Sequence, residues 1–174
     1  MRGSANRTRG GAPGEEQRSP PARTTRRAAE PIQAADPQAA VREWFTRLGR
    51  DCAAVDFASA RAIFAPDVVS FGTRADVVVG LDALQANQWE GIWPNIAAFR
   101  FDVERIHARG DAQRAWGAAT WTSTGFDESG RPFPRPGRAT VLLERRDGRW
   151  LAVHTHFSLF PGTPPRTFGR PPAR

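Results

Sequence analysis

The spacing of apolar residues changes near residue 97, and this change limits the folds that the chain can adopt. Before that point apolar residues recur at steps of three and four, as in amphipathic helices. Their first stripe consists of Val41, Trp44, Phe45, Leu48 and Cys52. After that point Phe99, Phe101 and Val103 alternate with charged residues, as in a half-buried strand. The chain is therefore predicted to be an α+β domain whose helices precede most of its sheet.

Two helices are predicted at the start of the folded part. Asp36-Pro37 is typical of a helix start, because a carboxylate can cap the free N–H groups and proline suits the first turn. A second, short helix is predicted from Asp56 and ends before Pro66.

A hairpin and a third helix are predicted next. Residues 68–71 and 75–79 flank the turn sequence Gly72-Thr73-Arg74. After Gly80 the helical spacing returns and continues to Trp93, where Pro94 ends it.

The second half is predicted to form four antiparallel strands. Gly110-Asp111 and Asp147-Gly148 are typical hairpin turns, and a loop rich in Gly and Pro is predicted from Asp127 to Gly137. The strands are predicted at residues 99–104, 116–122, 139–145 and 150–160. Such a sheet curls around the helices and buries the side that faces them.

The last predicted strand is apolar on both faces. One face carries Leu151, Val153, Phe157 and Leu159, and the other carries Trp150 and Ala152. A sheet that is apolar on both faces needs a second cover. Because the helices occupy one side, we predict a homodimer through the outer face of the sheet.

The positive charge of the chain lies mainly at its two ends. All 25 basic residues are arginine, and the net charge is +7. Residues 1–36, 37–160 and 161–174 carry net charges of +3, +1 and +3. A nucleic-acid-binding module concentrates its positive charge on a folded face, so no specific nucleic-acid partner is predicted.

Composition also sets the predicted domain limits. Residues 1–35 are rich in Arg, Gly and Pro, with Ile32 as the only large aliphatic residue after Met1. This is too little to offset the entropy of ordering the segment. We predict a disordered tail over residues 1–35, a folded domain over 36–161 and a flexible C-terminal tail over 162–174.

Several kinds of protein and site are excluded by composition. No run of about 18 apolar residues occurs, and the first 36 residues have no apolar stretch behind their arginines, so neither a spanning helix nor a secretory signal is predicted. The expected location is the cytoplasm, with no membrane partner. One cysteine, Cys52, excludes an internal disulfide, and three histidines do not complete a Cys-rich zinc site. No metal and no cofactor are predicted.

Three segments, in the right order, resemble the nuclear transport factor 2-like superfamily. Residues 63–72 (IFAPDVVSFG) are similar to the end of its second helix and its first strand, and residues 79–84 (VGLDAL) to the entry of its third helix. Residues 147–158 (DGRWLAVHTHFS) resemble the final strand of the calcium/calmodulin-dependent kinase II association domain. Over residues 37–161 the chain resembles the SnoaL-like branch. The resemblance implies a cone-shaped fold, a curved antiparallel or mixed sheet wrapped around three N-terminal helices.

The resemblance argues against the chemistry of ketosteroid isomerases. That chemistry needs a carboxylate base, together with Tyr and a neutral Asp as donors to the oxyanion. In ungapped matching the base position falls at Gly72 and the acidic donor at about Leu142, and the chain has no Tyr. Scytalone dehydratase-like chemistry also relies on tyrosines. Because the superfamily includes noncatalytic binding domains, the fold alone does not give an activity.

The cone is expected to hold an apolar pocket. The association domain lines its pocket with arginines, and those positions fall here at Trp121, Val141 and Phe157, so a small apolar or aromatic ligand is expected. The candidate lining residues are Trp44 (or its neighbour Phe45), Phe64, Trp89, Trp93, Trp121, Val153, Thr155 and Phe157. The same aromatic set is also compatible with a solid core.

His154 and His156 are the weak candidates for a catalytic role. They stand two apart on a predicted strand, so they share a face and can contact one ligand or proton. A third metal ligand is missing, because Glu144 and His107 lie on other strands. The register that turns Phe157 inward turns the pair to the outer, dimer-facing side, where a structural role is expected. A β-bulge would reverse their direction.

Three functions therefore stay open. The first is a homodimeric SnoaL-like domain that binds a small, largely apolar molecule and has no recognisable catalytic set. The second is an isomerase, cyclase or hydrolase of the same fold that transfers protons through His154 or His156. The third is a noncatalytic dimerisation or assembly domain with a filled core.

Overall fold

The first helix begins at the proline that the sequence indicates. The computed structural model describes residues 30–169, and α1 spans Pro37–Ala54. The Asp36 carboxylate accepts hydrogen bonds from the backbone N–H groups of Gln38 and Ala39, which satisfies two of the groups that a helix start leaves free. Val55 ends the helix in the left-handed conformation, with a φ of 54°. The predicted cap and amphipathic helix are confirmed.

The second helix is shorter than predicted. α2 spans Phe57–Arg61, and β1 (Phe64–Phe71) already begins before Pro66. Proline has no N–H to donate to a neighbouring strand. The pairing of β1 with the last strand shifts register between Phe64 and Val69, so the irregular stretch accommodates Pro66 and the strand continues through it.

The hairpin and the third helical segment follow in the predicted order. β2 (Val77–Val79) pairs antiparallel with β1. The helical segment consists of α3 (Leu81–Leu84), a π-helical stretch (Gln85–Trp89), α4 (Glu90–Ile92) and a 3₁₀ turn (Trp93–Asn95). Pro94 lies within this last turn, where no N–H is needed. None of the helices described between residues 30 and 169 is long and apolar enough to cross a membrane.

Five strands, one more than predicted, complete the sheet. They are β3 (Ala97–Phe101), β4 (His107–Gly110), β5 (Arg114–Phe126), β6 (Pro132–Arg146) and β7 (Arg149–Leu159). β3 ends earlier than predicted because a 3₁₀ turn follows over Val103–Arg105. Asp102 stabilises this turn by accepting a hydrogen bond from Arg105 Nε at 2.6 Å.

β6 begins at Pro132, well before the predicted start at residue 139. Its first residues pair with β5, whereas β7 joins it only from Gly137 onward. Residues 132–135 therefore have no partner on the β7 side, whereas the Pro136 carbonyl accepts a hydrogen bond from the Phe160 N–H just after β7. Proline is tolerated at such an edge because its missing N–H removes no ladder hydrogen bond. The loop predicted over residues 127–137 is thus a short turn followed by a strand.

The strands form one mixed sheet in the order β2-β1-β7-β6-β5-β3, with β4 also paired to β5. β1 and β7 are parallel, and the other pairs are antiparallel. α1 packs against β3, β4 and β5. The predicted α+β fold, with a curved mixed sheet around N-terminal helices, is confirmed.

Packing extends beyond both predicted domain limits. Ile32 is fully buried, and its carbonyl accepts a hydrogen bond from the Trp150 backbone N–H at 2.9 Å. Trp150 Nε1 donates to the Ala34 carbonyl at 2.9 Å. At the other end, the Phe168 N–H donates to the Phe126 carbonyl at 3.0 Å. Residues that we assigned to the tails thus add to the packed structure; residues 1–29 and 170–174 lie outside the described part.

Candidate functional site

A cavity lies between the sheet and the helical segment that follows β2. The volume that the centre of a water molecule can occupy in this cavity is about 50 Å³. This corresponds to about three to five waters, and hence to a molecule of about one aromatic ring. Its rim contains the partly exposed residues Gly72, Thr73, Ile96 and Phe157. The cavity is therefore reached from the β1–β2 turn.

Six of the eight predicted pocket residues line this cavity. They are Phe64, Trp89, Trp93, Trp121, Thr155 and Phe157. Trp44 does not line it, because it is fully buried against Phe64 and its Nε1 donates to the Ile63 carbonyl at 3.2 Å. The alternative residue, Phe45, packs against Phe101 instead.

Val153, the other exception, lies on the outer face of the sheet. The register between β6 and β7 shifts after Leu142, and Val153 is the extra residue of a β-bulge. Thr155 and Phe157 face the cavity, whereas Val153 lies beside Leu142 and Trp116. The prediction that Val153 shares a face with Phe157 is wrong, because the bulge reverses the side chains that precede it.

Aromatic rings form much of the cavity wall. The Phe64 and Trp89 ring centroids are 5.1 Å apart, and Trp89 stacks on Trp93 at 4.8 Å. On another side, the Phe99 and Trp121 centroids are 5.4 Å apart. Such surfaces suit a flat or apolar molecule.

Gln88 fixes the β1–β2 turn at the cavity rim. Its Oε1 accepts hydrogen bonds from the N–H groups of Arg74 and Ala75 at 3.1 and 2.9 Å. Its Nε2 donates to Thr73 Oγ1 at 3.2 Å. A side chain at Gly72 would overlap Gln88. The position that the resemblance matches to a catalytic base therefore has no room for a carboxylate while Gln88 holds the turn.

Arg135 brings a positive charge to this largely apolar cavity. The residue lies on β6 and is 1% exposed. Its Nη2 donates to Thr73 Oγ1 at 3.1 Å, and its guanidinium carbon lies 5.7 Å from the centre of the Trp121 ring. Burial lowers the pKa of Arg135 to about 10, so the side chain stays charged at neutral pH.

Two buried N–H donors at the cavity have no partner within the described residues. They are Arg135 Nε and Trp121 Nε1. The cavity-lining side chains include neither Asp nor Glu, and burial raises the pKa of the Cys52 thiol, which therefore stays neutral. A buried unpaired donor costs on the order of 1–3 kcal/mol. The cavity thus presents donors and a positive charge without an internal anion.

We expected an apolar pocket and did not predict that Arg135 is part of its lining. Trp121 and Phe157, which match arginine positions of the association domain, do line the cavity. The arginine enters from another position, inside the segment that we predicted to be a loop. Read as a strand, that segment places Arg135 on the same face as Gly137 and Ala139, and this is the signal that would have found it.

His154 and His156 do not line the cavity. They flank the exposed ring of Phe71, with centroid distances of 5.7 and 5.4 Å. His107 is exposed on β4. Among residues 30–169, no three His, Cys, Asp or Glu side chains are grouped closely enough to hold a metal ion. Both histidines thus contact Phe71, which is part of the cavity lining, but neither histidine is itself part of that lining.

An apolar patch is exposed on the outer face of the sheet. Trp116 is 45% exposed and Leu142 43% exposed, and both lie beside Val153. Leu142, the position matched to an acidic oxyanion donor, is therefore outside the cavity. A carboxylate at this position could not act on a molecule within the cone.

A family model described as a SnoaL-like domain matches residues 41–162. The chain belongs to this family. The match includes most of α1 and all of the sheet, so the cavity of this SnoaL-like domain lies inside the matched region. None of the curated proteins matches the chain.

Solved structures support the same fold for the SnoaL-like domain. A nuclear transport factor 2-like protein of unknown function from Pseudomonas putida is 24% identical, with a TM-score of 0.59 over 70% of this chain and 84% of that chain. A ketosteroid isomerase-like protein from Erwinia carotovora is 16% identical, with a TM-score of 0.61 over 73% and 98%. The association domain of calcium/calmodulin-dependent kinase II from C. elegans is 16% identical, with a TM-score of 0.54 over 70% and 93%. At these identities the similarities show the predicted fold alone.

Proposed function

We propose that this SnoaL-like domain binds a small organic molecule, about one ring in size, in the cavity beneath the β1–β2 turn. The observation that carries the proposal is a cavity with an aromatic wall and two buried donors that lack partners within the described residues. Protein interiors are normally close-packed and their polar groups satisfied. A ligand that fills the space and accepts hydrogen bonds would restore both conditions.

Ligand binding is better supported than proton transfer by the histidines. A general acid or base must lie within hydrogen-bond reach of its substrate, and neither His154 nor His156 lines the cavity. An assembly domain with a filled core is also less well supported, because the six tryptophans leave this cavity open. We therefore favour a ligand-binding domain over an enzyme or an assembly domain.

The proposal is tested by thermal unfolding of the full chain with neutral and charged one-ring compounds. Ile96→Trp narrows the rim, and Val103→Trp adds the same side chain at an exposed site away from the cavity. A compound at about ten times its Kd should stabilise the chain by about 1.4 kcal/mol, a rise of several degrees in Tm. We expect this rise in the wild type and in Val103→Trp but not in Ile96→Trp. An equal rise in Ile96→Trp, or none in the wild type, would contradict the proposal.

We further propose that the outer face of the sheet forms a homodimer interface. Trp116, Leu142 and Val153 form the apolar patch described above, and an isologous contact between two copies would cover it. The similar C. elegans structure is an association domain, which supports self-association as a use of this fold.

A further inference from the structure

Arg135 carries a charge that the described part of the chain does not neutralise. Within residues 30–169, no carboxylate lies in ion-pair range of its guanidinium, and no Asp or Glu lines the cavity. Buried charges in proteins are normally paired. The uncompensated charge therefore indicates a negatively charged partner outside the described residues, and a bound ligand can supply it.

The other polar groups near Arg135 also donate rather than accept. Thr73 Oγ1 accepts from both Arg135 Nη2 and Gln88 Nε2, which occupies its two lone pairs and leaves its own hydrogen free to donate. Trp121 Nε1 is a further buried donor without a partner. The groups at this end of the cavity thus match a ligand that has acceptor oxygens.

The size and charge of the cavity limit the class of ligand. The space accommodates about one ring or a short alkyl chain, and aromatic residues form much of its wall. One guanidinium neutralises one negative charge, whereas a phosphate monoester carries between one and two. A monoanion with an apolar body fits both conditions.

We infer that the ligand of this cavity is a small apolar carboxylate, whose oxygens accept hydrogen bonds from Arg135 and whose body packs on the aromatic wall. The inference rests on the proposed ligand-binding function and names its ligand class. The guanidinium fork suits a carboxylate because it can donate two parallel N–H bonds. Arg135 is thus the residue that determines the specificity for a carboxylate.

The test compares carboxylates with amides of the same size. The pairs are benzoate with benzamide, cyclohexanecarboxylate with cyclohexanecarboxamide, and butanoate with butanamide, each titrated by calorimetry into the full chain. Wild-type protein should bind at least one carboxylate about 10- to 100-fold more tightly than its amide, because hydrogen bonds to charged groups are the strong ones.

Substitutions test whether Arg135 causes the preference for carboxylates over amides. Arg135→Gln should abolish it, and Arg135→Lys should keep part of it, because lysine retains the charge but not the planar fork. The matched control is Arg138→Gln on the same strand, where Arg138 is exposed and donates to Ser158 Oγ; it should keep the full preference. If Arg135→Gln does not fold, Thr73→Val removes the hydroxyl that holds the guanidinium and should also weaken carboxylate binding.

The outcomes separate this inference from the proposed function. If amides bind wild-type protein as tightly as carboxylates, or if Arg135→Gln keeps the preference, the carboxylate inference is overturned while the pocket stands. If no member of any pair binds, both the pocket and the inference fail.

Discussion

Arg135 on β6 donates a hydrogen bond from Nη2 to Thr73 Oγ1 in the β1–β2 turn, at 3.1 Å. The same oxygen accepts from Gln88 Nε2 in the helical segment. One hydroxyl thus ties together three elements that are distant in sequence. A movement of Thr73 at the cavity rim would therefore also move the buried guanidinium of Arg135.

Replacing Arg135 by Met should not destabilise the ligand-free protein. Replacement of buried charged groups by apolar ones is often neutral or stabilising by about 1–4 kcal/mol, and Arg135 lacks a carboxylate partner in the described structure. Urea unfolding of the ligand-free chain measures this. A loss of more than about 1 kcal/mol would instead mean that the contacts to Thr73 and Trp121 are chiefly structural.

Gln88→Glu should remove carboxylate binding without removing the cavity. The new carboxylate can still accept from the Arg74 and Ala75 N–H groups, but it supplies the negative charge that Arg135 otherwise lacks. We expect benzoate affinity to fall by about tenfold or more. Asn87→Asp, at an exposed residue of the same helical segment outside the cavity lining, is the control. Unchanged benzoate affinity in Gln88→Glu would contradict the role given to the charge.

Gly137→Ala should destabilise the protein and disturb Trp121. A Cβ at this position would overlap Trp121 Cζ2 and the Ser158 carbonyl, and such overpacking costs about 1–3 kcal/mol. At Gly49 in α1 the added Cβ meets Phe101 Cδ2 at 3.2 Å, a milder contact, and alanine favours the helix over glycine, so Gly49→Ala should cost less stability than Gly137→Ala. Urea unfolding measures the free energy of unfolding of both variants. Equal losses in the two would contradict the packing described here.

Cys52 should be unreactive in the native protein and should make stability pH-dependent in alkali. Burial raises its pKa, so its stabilising contribution is present below the unfolded pKa of about 8.5 and is lost as pH rises above it, by about 1.4 kcal/mol per pH unit. Cys52→Ala should lack this slope. Rapid reaction of the native thiol with a disulfide reagent at pH 8 would contradict the buried site.

Disruption of the outer apolar patch should change the oligomeric state and not the ligand site. Leu142→Arg places a charge in the middle of the patch, whereas Val103→Arg places it at another exposed apolar residue. Sedimentation should give a dimer for the wild type and Val103→Arg, and a monomer for Leu142→Arg. A wild-type monomer, or a dimer in all three proteins, would rule out this interface.

Local sequence signals predicted much of the fold. The Asp36-Pro37 start of α1 depends on a side chain and on backbone groups within three residues of it, so it can be read without tertiary information. The alternation at Phe99 and Phe101 likewise predicts a strand. In these cases the physical cause and the observed pattern lie in the same short segment.

The sequence-based predictions fail where pairing with a distant strand determines the local structure. Residues 132–135 form a strand because β5 pairs with them and β7 does not reach them, and no local pattern reveals which edge is free. The same misreading hid Arg135, the main polar group of the candidate site. The bulge at Val153 is also a property of the strand pair and not of one strand. Location in the cytoplasm and the homodimer stay predictions.

Binding in the cavity is tested most directly by NMR. The full chain is labelled with ¹⁵N at its tryptophan indoles, and the indole N–H resonances are followed as benzoate is added. The chain has six tryptophans; Trp89, Trp93 and Trp121 line the cavity, and Trp116 is exposed on the outer face. Single Trp→Phe variants assign the resonances. We predict that the Trp121 Nε1–H resonance shifts saturably, together with that of Trp89 or Trp93, while the Trp116 resonance stays unchanged. If benzoate leaves Trp121 unmoved at saturating concentration, or shifts Trp116 alone, the cavity is not the ligand site.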